Sequence, residues 1–122
     1  MLIYLAHPVS APTLDGIRAN LARAKRWLVY LRSAYPDDVV AAPWIPWVET
    51  EIERGGGETP EARAKGLMDC EAVAARFDKI VLVGGRLTSG MARERNVVLA
   101  ETCGEGVIDL LHLGDEPPEV AS

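Results

Sequence analysis

The stretch Lys79-Ile80-Val81-Leu82-Val83-Gly84-Gly85-Arg86-Leu87-Thr88-Ser89-Gly90-Met91 passes from an unbroken apolar run, through a loop bounded by glycine, into a helix start. A run apolar at every position suits a strand buried on both faces, as in a parallel sheet covered by helices. Roughly Met91 to Thr102 then predicts a helix ended by Gly104 and Gly106, and Val107 to Leu113 predicts a last strand.

Working outward, Leu2-Ile3-Tyr4-Leu5-Ala6 is a second apolar run, stopped by His7-Pro8 and a loop to Pro12. Leu14, Ile17, Leu21, Ala24, Leu28 and Leu31 recur at spacings of three and four, one apolar stripe on a helix. Thr13 or Asp15 serves its N-terminus, Arg32 suits its last turn, and Pro36 lies beyond its end. Val39 to Ala42 predicts a strand cut by Pro43. The Pro43-Trp44-Ile45-Pro46-Trp47 segment reads as a proline-locked loop, and Gly55-Gly56-Gly57 breaks the chain again. Thr59-Pro60-Glu61 predicts a capped helix start. That helix reaches about Arg76 and buries Gly66, Leu67, Cys70, Val73, Ala74 and Phe77. Strand and helix alternate throughout. The expected fold is α/β: a three-layer Rossmann-like domain with a mainly parallel sheet of four to five strands in flavodoxin-like order. The Val39 strand is expected at one edge and the first strand beside the Ile80 strand. One domain over residues 1–113 is expected, with 114–122 a flexible tail.

The bulk composition narrows the class. The chain has 122 residues, 48% hydrophobic and 25% charged, enough for one core without staples. A formal net charge of −5 argues against non-specific binding to nucleic acid or an anionic membrane surface. No apolar run is long enough to span a bilayer. Cys70 and Cys103 have neither paired spacing nor a nearby His, so no disulfide framework, no metal site and no cofactor is expected, and the expected location is cytoplasmic.

In such a sheet, ligands bind outside the carboxyl ends of the strands at the switch point, here the segments 7–12 and 84–90. Thr88-Ser89-Gly90 at a helix N-terminus offers free N–H groups to an anion, or is ordinary capping. There is no G-x-G-x-x-G and no P-loop pattern. On a helical wheel Glu94 lies between Val97 and Val98, inside the apolar arc. It is either a nucleophile or base at the crevice, or a first-turn Glu favoured by the helix dipole. Asp69 reads as a solvated helix charge, Tyr4 as core with a satisfied hydroxyl, and Arg18 as a flank of the first stripe. His7 either titrates near neutrality or is an exposed loop residue. Trp44 and Trp47 either pack as core or offer aromatic faces to a planar ligand.

Taken in order, Ile3-Tyr4-Leu5-Ala6, Arg18-Ala19-Asn20, Asp69, the Ile80 strand and Thr88-Ser89-Gly90-Met91-Ala92-Arg93-Glu94 resemble the nucleoside 2-deoxyribosyltransferase-like superfamily. That superfamily includes deoxynucleoside 5′-monophosphate N-glycosidases. The resemblance covers about residues 2–111. It implies Glu94 as the nucleophile at the anomeric carbon, Asp69 assisting departure of the base, and Tyr4 orienting Glu94. It implies that Thr88, Ser89, Gly90 and Met91 hold the sugar or its 5′-phosphate, and that a homodimer or larger symmetric assembly completes the pocket. His7, Arg18, Trp44 and Trp47 are the further expected substrate contacts. The chain departs from the family pattern in having His7-Pro8 where Gly-Pro is usual, and Arg95-Asn96 after Glu94. Arg93 and Arg95 either keep Glu94 ionised or engage it in ion pairs. The function implied is cleavage or exchange of a nucleoside or nucleotide N-glycosidic bond. The alternatives are a nucleotide-binding or sensor module without turnover, and an accessory protein that uses its surface.

Overall fold

The computed structural model describes residues 1–54 and 60–119. Its two strongest apolar runs pair at the centre. β1 (Leu2–Ala6) and β3 (Lys79–Leu82) are parallel, with Tyr4 opposite Ile80 and Ala6 opposite Leu82. Ile3, Tyr4, Leu5 and Ala6 are fully buried, as are Ile80, Val81 and Leu82, because helices cover both faces. β2 (Val39–Ala41) pairs parallel with β1, and β4 (Val107–Asp109) with β3, giving the order β2-β1-β3-β4. This is the three-layer Rossmann-like arrangement, with the Val39 strand at an edge.

α1 (Leu14–Ala34) starts where the Thr13 side chain accepts a hydrogen bond from the Gly16 N–H, and it buries Leu21, Ala24, Trp27 and Leu31. Right-handed crossovers put α1 on one face of the sheet and α3 (Pro60–Ala74) with α4 (Ser89–Glu101) on the other. The Tyr4 ring projects toward that second face and meets Phe77 edge-on, centroids 5.3 Å apart. Among the described residues no helix is long and apolar enough to cross a membrane.

Four expectations are corrected. The Pro43–Trp47 segment is not a loop but the start of α2 (Trp44–Glu53). Pro46 is tolerated because it falls in the first turn, where N–H groups have no intrahelical acceptor. α3 ends at Ala74 and fully buries only that residue; Gly66, Leu67, Cys70, Val73 and Phe77 are half-buried. Its inner face borders α4 and an open cleft rather than the sheet. β4 stops at Asp109, and a 3-10 turn (Leu111–Leu113) replaces the rest of the expected strand. The expected cap Thr59 and Gly55-Gly56-Gly57 lie outside the described residues.

The fourth correction concerns the start of the expected flexible tail. Trp27 is completely buried, and its indole N–H donates to the Asp115 carbonyl at 2.8 Å. Glu116 accepts from Arg23 Nε at 3.1 Å and from Arg26 Nη2 at 2.8 Å. These two guanidiniums push the Glu116 carboxyl down to about 2. Residues 120–122 lie outside the described region.

Candidate active site

β1 and β3 both end at the same rim of the sheet, and the chain leaving each end must pass close to the other. Val83 N–H donates to the Ala6 carbonyl at 3.1 Å. Gly84 follows with φ +101°, and a Cβ there would lie 2.6 Å from Pro8 Cδ. Only glycine supplies both the backbone angle and the space. α4 then opens with Thr88, whose side chain accepts from the Met91 N–H at 3.3 Å. At Gly90 a Cβ would sit 3.2 Å from Leu67 Cδ2, so the missing side chain lets α3 and α4 close together.

Above this rim lies a cleft of about 480 Å³, bounded by the loop after β1, by α2, by α3 and by the start of α4. His7, Trp44, Trp47, Asp69, Thr88, Ser89, Gly90, Met91 and Glu94 all line it. Tyr4 lies beneath, and its hydroxyl donates to Glu94 Oε2. Glu94 is 9% exposed, so the helical wheel oriented it correctly. Burial pushes its carboxyl up to about 7, against the Tyr4 hydrogen bond, which pulls it down, while Glu71 adds a smaller upward push. Burial also pushes the Tyr4 hydroxyl up, so it remains a donor. Half-buried Cys70 lines the cleft beside this pair, and burial raises its thiol to about 11. Neither neighbouring arginine engages Glu94. Arg93 pairs with Glu71, and the Arg95 guanidinium reaches Asn96 Oδ1 at 3.4 Å.

Asp69 stands one helical turn from Lys65, whose Nζ donates to Oδ1 at 2.5 Å across an exposed pair. The Trp44 indole N–H is fixed on the Leu5 carbonyl at 2.8 Å, and this residue is buried, while Trp47 is 42% exposed at the cleft. Trp44 thus packs as core, whereas Trp47 is the more exposed of the two on the cleft wall. His7 is neither exposed nor titrating near neutrality. Burial lowers it to about 4, with the Arg23 and Arg86 charges contributing. Arg18 does not line the cleft. Its side chain points to a separate depression with Glu49 and Ile52, and pairs with Asp15 at 3.7 Å. It flanks the stripe on the side of α1 facing the end of α2.

Sequence reading missed Ser10, Arg63, Lys65 and Cys70, all on the cleft wall. Arg63 Nη1 donates to Ser10 Oγ at 2.9 Å, joining the loop after β1 to α3. The (i, i+4) spacing of Lys65 and Asp69 was a visible signal; the Arg63–Ser10 contact had none. Among the described residues no group of His, Cys, Asp and Glu is arranged to hold a metal ion.

The arrangement is that of an α/β domain with a buried carboxylate at the floor of a largely apolar cleft. Compared with known proteins, the chain matches no family model, no curated protein and no solved structure.

Proposed function

We propose that the protein cleaves or exchanges the N-glycosidic bond of a nucleoside or nucleoside 5′-monophosphate by a retaining mechanism. One observation carries this reading: the Glu94 carboxylate, hydrogen-bonded by Tyr4, is buried on the floor of a cleft that Asp69 and Trp47 also line. A glycosyl transition state is oxocarbenium-like, and a carboxylate in apolar surroundings is well suited to stabilise and then trap it.

In this mechanism Glu94 Oε attacks C1′ while the C1′–N bond breaks and its electron pair leaves with the base. Tyr4 fixes the attacking oxygen. A proton from solvent, passed on by Asp69, reaches the departing base. The Asp69 pair with Lys65 is exposed at 74% and 42%, and a surface pair of that kind is worth about 0–1 kcal/mol, so a bound base displaces it. Water, or an incoming base, then attacks C1′ of the glycosyl ester as its proton passes through Asp69 to solvent, and the C1′–Oε bond breaks with its electron pair returning to Glu94. Trp47 stacks on the base, and Thr88, Ser89 and Gly90 hold the sugar or its phosphate at the α4 N-terminus. A homodimer in the cytoplasm belongs to the same reading.

A second reading, a nucleotide-binding module without turnover, is favoured by the engagement of Asp69 with Lys65 in the resting site. Incubation with a panel of nucleosides and nucleoside monophosphates, with free base measured by chromatography, separates the two. Base release that Glu94→Gln abolishes supports the enzyme. Saturable binding without release supports the sensor.

A further inference from the structure

We infer that the base taken by the cleft carries an aliphatic substituent, which lies against the wall that α1 and α2 build. The inference rests on the nucleoside reading above and narrows its substrate class.

The apolar stripe of α1 is the starting point. Leu21, Ala24 and Leu31 are buried, yet Leu14 and Ile17, the first members of the same stripe, are only half-buried. Both line the cleft. α2 brings half-buried Val48 and Ile52 to it, one helical turn apart on one face, and the loop after β1 brings half-buried Val9. The polar groups that α2 brings are engaged. The Trp44 N–H is held by the Leu5 carbonyl, and Thr50 Oγ1 donates to the Pro46 carbonyl at 2.8 Å. Glu51 is exposed and pairs with Arg54 at 3.7 Å. Trp47 adds a ring that is apolar apart from one N–H.

α3 and α4, on the other face of the sheet, give the same cleft Asp69, Thr88, Ser89 and Glu94. The two sides therefore differ in chemistry. A sugar needs the attacking carboxylate and partners for its hydroxyls, so it belongs with α4. The base then reaches from Asp69 toward Trp47, and whatever extends past its ring meets aliphatic side chains. Water against such a wall finds few partners, so an apolar group that displaces it gains affinity. A polar group there loses its own hydration without replacement. The wall is part of a concave space of about 480 Å³, which suits a small ligand and not the flat face of a second copy.

The test is calorimetric binding to the full chain of carbocyclic nucleosides, in which carbon replaces the sugar ring oxygen so that no oxocarbenium ion forms and no base is lost. One series carries hydrogen, methyl, propyl or butyl on the exocyclic amine of adenine, and the other on ring carbon 5 of uracil. The native nucleosides are run beside them. In at least one series affinity is expected to rise about threefold per added methylene, and a hydroxyl at the chain end should cancel much of that gain. In Ile17→Asn and in Ile52→Asn the butyl-to-methyl affinity ratio should fall from about thirtyfold to about fivefold or less. Two flat or falling series, with the native nucleosides still bound, overturn the inference and leave the nucleoside reading standing. A ratio unchanged in both variants places the substituent elsewhere and also overturns it. So does a flat series with a dimer that Ile17→Asn dissociates, which gives the wall to a second copy. If neither the series nor the native nucleosides bind, both readings fall. Should one variant not fold, the other decides; should neither fold, the wild-type series alone decides.

Discussion

Glu94 and His7 are buried groups whose pKa values burial moves in opposite senses, and this gives the protein a characteristic response to pH. Glu94 is raised from 4.5 to about 7, so the folded state binds the extra proton between those values and stability falls as pH rises through them. His7 is lowered from 6.5 to about 4, so there the unfolded state binds the extra proton and stability falls as pH drops. Between about 4.5 and 6.5 the two effects nearly cancel. Glu94→Gln removes one of them. Its stability should fall by about 2 kcal/mol from pH 6.5 to pH 5, at roughly 1.4 kcal/mol per unit, while wild type changes much less. Urea denaturation at the two pH values measures this, and equal slopes for both proteins would count against it. For the proposed reaction Glu94 must be ionised, so kcat/KM should rise with pH through about 7. Tyr4→Phe removes the hydrogen bond that pulls Glu94 down. The midpoint should then move up by about one unit, with a roughly fivefold loss at pH 7. A pH–rate profile that keeps its midpoint in Tyr4→Phe would show that Tyr4 does not tune Glu94. The inward face of Glu94 was readable from the sequence because helical periodicity alone sets it. The burial of His7 was not, since it depends on Gly84 and Pro8 meeting across 76 residues of chain.

At the scale of elements, the misread segments share one cause: local chemistry pointed to a loop, and tertiary position decided otherwise. Pro43 and Pro46 are loop signals unless they fall in a first helical turn, and here they do. Trp44 then anchors α2 to the end of β1 through the Leu5 carbonyl. The segment after Leu113 has the composition of a frayed end, yet it supplies the acceptor that the buried Trp27 indole needs. Deleting residues 114–122 should destabilise the protein by about 1–3 kcal/mol, the usual cost of a buried donor left unpaired. Thermal unfolding of the truncated chain checks this, and an unchanged Tm would mean that Trp27 finds another acceptor. The two central strands, by contrast, were legible down to their partners, because an apolar run of that length next to its twin has few other places to go.

For the molecule as a whole, the alternation of strands and helices carried the sheet order and the position of the cleft, and these followed from topology. The identity of the ligand does not follow from topology. Under the proposed reading it lies in Asp69 and Glu94, together with Trp47, which α2, an element the sequence concealed, brings to the same cleft. α3 leaves much of its length uncovered, with Met68 62% exposed. Under the proposed reading a second copy packs there, and light scattering at tens of micromolar should give twice the chain mass; a monomer would remove the dimer from the account. The central claim is that Glu94 forms a covalent bond to the sugar. Peptide mass spectrometry after rapid quenching of wild type with a cleaved nucleoside tests it most directly. The account predicts the added mass of the sugar on the peptide holding Glu94 and its absence from Glu94→Gln. Release of the base with the adduct on another residue, or undiminished release by Glu94→Gln, would contradict it.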